Sequence, residues 1–361
     1  MSKPLMFEAY PTLDGRIPWT PLGKFPTPVQ KLEKLGGLLG HPSLWIKRDD
    51  LDSDVMGGNK VRVMEFLLAA MMAQGKKIAI SPGALGSNQI MSSAVYGRQL
   101  GLKIVGVFFK QCETDYMCRH MLVDQSMGVE FNHVNSPYAV PFVILWQMLK
   151  NTDWKRLSLP FYIPSFGSSA TCALGYFNAM LELKQQIDAG ECPEPDLIFV
   201  TAGTGGTMAG IELGARALRM KSKVVGVRIT DKVACNEILV ASIINRAYRL
   251  LARAGAELGP FKWRSRDVTL IHDFFGGEYA AITPEAVAAK KTAAELEGLT
   301  LDTTYTAKTM AAMMDYLRRR RRRDQNVLFW HTYTTRDLTG LIEADAGPAR
   351  MPEEFQCYFH P

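Results

Sequence analysis

Three short loops in this 361-residue chain combine glycines with residues that can do chemistry. In Gly57-Gly58-Asn59-Lys60 an amine follows two flexible glycines and precedes an apolar run. A cation at a helix start is disfavoured by the helix dipole, and a cleft adds desolvation, so both effects lower the lysine pKa. Such an amine can form a Schiff base with an aldehyde. The plain alternative is a solvated lysine. In Gly83-Ala-Leu-Gly86-Ser87-Asn88-Gln89, Ser87 can cap the helix that follows. Free N–H groups there could also hold a substrate carboxylate, with Asn88 as an orienting amide. The third loop, Thr201-Ala-Gly-Thr-Gly-Gly-Thr207, offers three hydroxyls and glycines that let a backbone approach closely. Amides at a helix start cradle one phosphate well. It is not a dinucleotide fingerprint, because Met208 stands at the third glycine position, and no Gly-Lys-Ser/Thr follows to make a P-loop.

Any one of these loops is weak evidence, since tight strand-on-helix packing explains a glycine loop equally well. Together they supply a phosphate cup, a Schiff-base lysine and a carboxylate-sized anion site. That set suits pyridoxal 5'-phosphate and a small amino-acid substrate, with the cofactor as electron sink and the protein supplying orientation and electrostatics.

The elements that must position these loops alternate. Strands are expected at 43–47, 77–81, 103–109, 129–134, 197–201, 224–229 and 327–331. Helices are expected at 61–74, 87–100, 118–127, 208–219, 284–298 and 307–319, with Val61, Met64, Leu68 and Met71 at helical spacing. The first ~45 residues, rich in proline and glycine, read as extended chain and turns. Alternation of this kind predicts parallel sheets in an α/β protein, with ligands beyond the carboxyl ends of the strands.

Composition excludes several classes. The chain is 47% hydrophobic and 22% charged, which is globular and not disordered. Net charge is +6, and Arg318 to Arg323 are consecutive; without them basic and acidic residues balance at 36 each. The basic excess is thus one local feature, and nucleic-acid binding loses its main support. The likeness of Arg318–Arg323 to a solvated helix end is the plainer reading. The longest apolar runs, Phe66–Ala73 and Val140–Leu149, are too short to span a membrane and read as core elements. No signal-peptide pattern opens the chain, and the six scattered cysteines suggest free thiols in a reducing cytoplasm. No metal-ligand spacing links them to the six histidines.

At the three loops the chain resembles the D-cysteine desulfhydrase and 1-aminocyclopropane-1-carboxylate deaminase family. The resemblance extends through Lys47-Arg48-Asp49-Asp50-Leu51-Asp52, Glu65-Phe66-Leu67, Ala209-Gly210, Gly277-Glu278-Tyr279, Leu301-Asp302-x-x-Tyr305-Thr306-x-Lys308 and His331-Thr332, in order from about 20 to 342. It implies the two-domain fold of the tryptophan synthase β-subunit, with the cofactor in the cleft. The larger domain would comprise 1–61 and 169–361, the smaller 62–168, and the assembly would be a homodimer.

The resemblance implies that Lys60 carries the cofactor and then moves the substrate Cα proton. Asn88 would bond the phenolic oxygen of the cofactor; Ser87, Asn88 and Gln89 would hold the substrate carboxylate. Gly203, Thr204, Gly205, Gly206 and Thr207 would hold the phosphate, and Thr332 would also border the cofactor. Tyr279 and Tyr305 would face the substrate, although each reads equally as a core tyrosine from sequence. Thr306 falls where the deaminases carry a glutamate facing the pyridine nitrogen and where the desulfhydrases carry threonine. That position favours β-elimination over ring opening. Three departures fall in loops expected around the substrate: Gly86 replaces a glutamine, Thr303-Thr304 and Ala307 alter the tyrosine motif, and Tyr333-Thr334 replace two glycines. They imply an altered pocket and leave open a cofactor-binding protein without catalysis.

Overall fold

The computed structural model describes residues 3–114, 116–164, 169–319 and 323–359. Ten strands form two sheets: β1 (Val29–Lys31), β2 (Leu44–Arg48), β3 (Ile78–Ala84), β4 (Lys103–Phe109), β5 (Glu130–Val134), β6 (Phe161–Tyr162), β7 (Leu197–Ala202), β8 (Lys223–Arg228), β9 (Thr269–Ile271) and β10 (Val327–His331). The larger sheet has the order β1-β2-β10-β7-β8-β9, the smaller β5-β4-β3-β6. All pairings are parallel except β1 on β2. The expected alternation of strand and helix is therefore an α/β fold with two parallel sheets.

Most expected elements lie within two residues of their observed bounds, and β4 and β10 coincide with them. The reason is local: β7 is buried at every position and reads as an unbroken apolar run, as central parallel strands do. Three differences have physical causes. Helices Leu5–Ala9 and Glu33–Leu39 occupy part of the stretch expected to be irregular. The second ends at Gly40 in the left-handed conformation, so its glycines include a helix stop. Helices Ala170–Asp188 and Glu237–Arg253 were not anticipated, though Ser169 and Asn236 cap them by accepting from Cys172 N and Leu239 N.

The third difference concerns Val140–Leu149, expected in the core. One face of helix Val140–Lys150 does pack on the smaller sheet, through Val140, Val143, Ile144 and Met148. The opposite face carries Phe142, Leu145, Trp146 and Leu149 into solvent. Among the described residues, no helix is long and apolar enough to cross a membrane. The arginine run begins on the exposed end of helix Thr306–Arg319; Arg320 to Arg322 lie outside the described residues.

The strands of the smaller sheet all fall between 78 and 162, and those of the larger sheet lie on both sides of that span. The expected division at 168 lies outside the described residues. Leu338, Met351 and Phe355, expected with the larger unit, pack instead in the core that includes Met91, Ile104 and Phe108 of the smaller one. Phe355 stands edge-on to Phe108 and Phe131, so the C-terminal chain returns to cover β4 and β5.

Candidate active site

The carboxyl ends of β2, β3, β7 and β10 converge on one cleft, which holds about 910 Å³ of space between atoms, part of it open to solvent. Lys60, Ser87, Asn88, Gln89, Gly203, Thr204, Gly205, Gly206, Thr207, Tyr279, Tyr305 and Thr332 all line it. Residues separated by more than 270 positions in sequence thus share a single site. Thr306 does not line it. Its hydroxyl donates to Asp302 Oδ1 at 2.7 Å, and its amide donates to the same oxygen at 2.9 Å.

Lys60 is the second residue of helix Asn59–Ala73. Burial pushes its ammonium down to about 8, only weakly opposed by the Cys172 thiol. Among the described residues it makes no ion pair. A large fraction is therefore neutral amine near pH 8, the form that attacks an aldehyde. The loop before it is clamped from two directions. Gly58 N donates to the Asp49 carbonyl at 2.9 Å and shares Asp52 Oδ1 at 3.0 Å, while Asn59 N donates to the Thr332 carbonyl at 2.9 Å. Gly58 has φ +95°, and a Cβ there would stand 2.8 Å from the Thr332 oxygen, so only glycine lets the loop pass this close.

A buried charge network stands behind that loop. Asp49 accepts from Arg62 Nη2 at 2.9 Å, Tyr176 at 2.8 Å and Trp330 Nε1 at 2.7 Å. Glu182 accepts from Arg62 Nη1 at 2.9 Å and from Lys47 at 2.5 Å. Two cations face two anions, so the group is neutral overall. Burial alone would raise the Glu182 carboxyl, but Arg62 and Lys47 outweigh it and bring it to about 2. The stretch from Lys47 to Asp52 therefore acts by anchoring the lysine helix and strand β10 to each other.

Ser87 caps helix Asn88–Gln99 by accepting from Ile90 N at 3.3 Å. This is the structural role the sequence allows, and Ser87 is also part of the cleft lining. Beside it, Asn88 Oδ1 and both polar atoms of the Gln89 side chain are buried with no partner among the described residues. Leaving such groups unpaired costs ~1–3 kcal/mol each, so they suit a bound polar group. At the opposite wall, Gly205 at φ +83° turns the chain into helix Gly206–Ala217, whose first amides lack intrahelical partners. Asn59 Nδ2 donates to Thr207 Oγ1 at 3.1 Å and ties the lysine loop to this cup. The Tyr279 and Tyr305 hydroxyls bond to each other. Burial, then the neighbouring phenols, raise both pKa values, so both keep their protons.

One cleft residue, Thr230, carries no recognisable signal in the sequence. It lines the wall beside Thr201 of the glycine loop and donates to the Gly203 carbonyl. Threonine in a parallel strand or after it reads as ordinary packing. Asn59 could have been found, since it adjoins Lys60. Tyr333 and Thr334, two of the departures noted above, are part of the lining.

The residues present fit pyridoxal phosphate. There is an amine near neutrality, a cup of amides and hydroxyls of monoester size, and orphaned buried amide groups between them. Residues 21–332 match the family described as pyridoxal-phosphate dependent enzyme. A D-cysteine desulfhydrase of Klebsiella pneumoniae (strain 342) is 32% identical over 88% of this chain and 94% of its own. A Thermotoga maritima protein, provisionally named as a 1-aminocyclopropane-1-carboxylate deaminase, is 32% identical over 85% of this chain and 93% of its own. A crystal structure titled as that of an ACC deaminase homologue superposes with a TM-score of 0.77 at 27% identity, over 92% of this chain and 95% of that one. The chain belongs to the pyridoxal-phosphate dependent enzyme family, within its group of D-cysteine desulfhydrases and 1-aminocyclopropane-1-carboxylate deaminases. Its cofactor is pyridoxal phosphate.

Proposed function

We propose that the protein is a lyase that removes the Cα proton of a small amino acid and eliminates its β-substituent, as D-cysteine desulfhydrase does by name. With a thiol-bearing substrate and water the products are a 2-oxo acid, ammonia and hydrogen sulfide. The observation that carries this reading is the absence of any carboxylate among the described residues of the cleft lining. A carboxylate facing the pyridine nitrogen would favour the protonated ring; here Thr306, at the matching position, is bonded to Asp302.

Pyridoxal phosphate, when bound, supplies the electron sink for a Cα carbanion. The chain supplies the rest. Lys60 Nζ takes the Cα proton as general base. Ser87 Oγ and the amides of Asn88 and Gln89 hold the substrate carboxylate, and the Asn88 side chain orients the cofactor oxygen. Gly203 to Thr207 and Thr332 hold the phosphate and the cofactor's flank. Tyr279 and Tyr305 present phenol protons to the substrate side chain.

A panel of D- and L-amino acids, assayed for 2-oxo acid, ammonia and sulfide, tests this. Release of all three from one thiol-bearing enantiomer is expected. Ring opening of 1-aminocyclopropane-1-carboxylate without sulfide release from any thiol would replace this reading with the second activity named among the relatives. A Lys60→Ala protein should lose the visible band of lysine-bound cofactor; a wild-type band in that variant would sink the reading.

The setting belongs to the same proposal. All six cysteines are free, as a reducing cytoplasm would keep them. A homodimer is the assembly, with helix Val140–Lys150 at its interface. Five exposed rings between Tyr138 and Tyr162 present roughly 650 Å², at ~200 Å² per full ring. Phe142 and Trp146 share the exposed face of one helix, the kind of apolar surface a partner covers. The helix carries no charge before Lys150, so an antiparallel twofold pairing keeps the two lysines at opposite ends. Trp146→Glu should halve the sedimenting mass; unchanged mass would move the interface elsewhere.

A further inference from the structure

Two departures from the family pattern, Gly86 and Thr304, are distant in sequence and joined in space by one side chain. Gly86 N donates to Gln111 Oε1 at 3.1 Å, and its carbonyl oxygen lies 3.1 Å from His120 Nδ1. The Tyr116 ring lies over the glycine. A Cβ on Gly86 would stand 2.9 Å from Tyr116 Cε2 and 3.1 Å from Gln111 Nε2. Glycine is thus what lets Tyr116 settle here, in a site only 6% exposed. Its ring packs on His120 at 4.8 Å between centroids.

From that seat the Tyr116 hydroxyl reaches across and shares a 3.0 Å hydrogen bond with Thr304 Oγ1. Tyr116 precedes helix Met117–Ser126, on the smaller sheet's side; Thr304 precedes helix Thr306–Arg319, on the larger sheet's side. The bond therefore bridges the two. It also bears on the substrate-facing pair. Thr304 N and Tyr305 N both donate to Asp302 Oδ2, at 3.0 and 2.7 Å, so the two residues move as one turn. Tyr305 in turn holds Tyr279 through their hydroxyls.

We propose that Tyr116 is a positioning and specificity residue: through Thr304 it latches the two sides of the cleft and sets the Tyr305–Tyr279 pair, selecting a short, neutral substrate side chain such as a thiol or hydroxyl. This rests on the reading of the cleft as an amino-acid lyase site. Tyr279 and Tyr305 line the cleft, and Tyr116 stands beside them behind its wall, so the groups set by the latch offer hydrogen bonds without a formal charge. The position is seated by Gly86, so two of the three altered loops form one unit.

The test uses the cofactor-loaded enzyme and the variants Tyr116→Phe, Thr304→Val and Thr304→Ser. Tyr116→Phe and Thr304→Val should each keep the visible cofactor band. Each should raise KM for the best short neutral amino acid about 3- to 10-fold, the worth of one neutral hydrogen bond, with kcat within about twofold. The double variant should be no worse than either single one, and Thr304→Ser should restore the wild-type values. Hydrogen exchange across 302–306, measured without substrate, should quicken in both single variants. Unchanged exchange and KM, or effects that add in the double variant, would overturn the latch. If no amino acid is turned over, the lyase reading fails, while exchange across 302–306 still decides whether the latch exists.

Discussion

The two walls of the cleft are held by different physics. Behind Lys60, Asp49, Glu182, Arg62 and Lys47 form a buried set of paired charges, with Tyr176 and Trp330 donating into it. Around Gly86 and Thr304 the side-chain contacts are single hydrogen bonds: a phenol on a threonine hydroxyl, and Gln111 and His120 on a glycine backbone. Removing one partner of a buried charge pair leaves the other uncompensated, which costs several kcal/mol. Losing one neutral hydrogen bond costs about 1 kcal/mol. The wall behind Lys60 therefore tolerates little change. The side at Gly86 and Thr304 can be altered more cheaply, and two of the three departures from the family pattern fall there; the third, Tyr333-Thr334, packs against Gly58 of the lysine loop.

Breaking the stiff wall should give the largest effect. Asp49→Ala should cost about 3–5 kcal/mol, because Arg62 and Trp330 both lose an acceptor. Denaturant unfolding checks this; a cost below about 1 kcal/mol would erase the contrast between the walls.

Acid should weaken the same wall. The Glu182 carboxyl is depressed from 4.5 to about 2, so its contribution is complete above pH 4.5 and is lost as pH falls towards 2. The loss amounts to roughly 3 kcal/mol at ~1.4 kcal/mol per unit. Burial raises the pKa of Asp52 and Asp124, which acts in the opposite sense in the whole protein. The measurement is therefore the stability difference between wild type and Glu182→Gln, which should shrink across that window.

Lys60 sets a second pH dependence, of a reactive group rather than of stability. With its pKa at about 8, cofactor-free protein should capture pyridoxal phosphate about tenfold faster per pH unit below 8 and level off above it. A rate still climbing at pH 9 would place the amine near its ordinary value. The smallest effect belongs to the tie between the lysine loop and the phosphate cup. Asn59→Ala should remove one neutral bond to Thr207 and weaken cofactor affinity about fivefold, with the fold unchanged by circular dichroism.

Much of this was legible because it is local. The strand ends and helix starts follow from hydrophobic period and capping residues, so Lys60, Ser87 and the Gly203–Thr207 loop could be placed beyond strand ends before any fold was known. Thr306 is held by a local contact as well. Its motif position suggests the cofactor, but Asp302, four residues earlier, takes up its hydroxyl. The apolar run at Val140–Leu149 has one composition whether both faces are covered or one, and hydrophobicity alone could not tell which.

The sequence by itself determined the α/β alternation, the three loops, the chemistry their residues can do and the family whose pattern they follow. These depend on interactions within a few residues. The tertiary structure alone decided that Asp49 meets Trp330, that Tyr116 crosses to Thr304 over Gly86, and that Phe142 and Trp146 stand in solvent. Each of those depends on which surfaces the crossovers bring together, the first two across separations of 281 and 188 residues. Burial, which turns Lys60 into a near-neutral amine, comes only with that convergence.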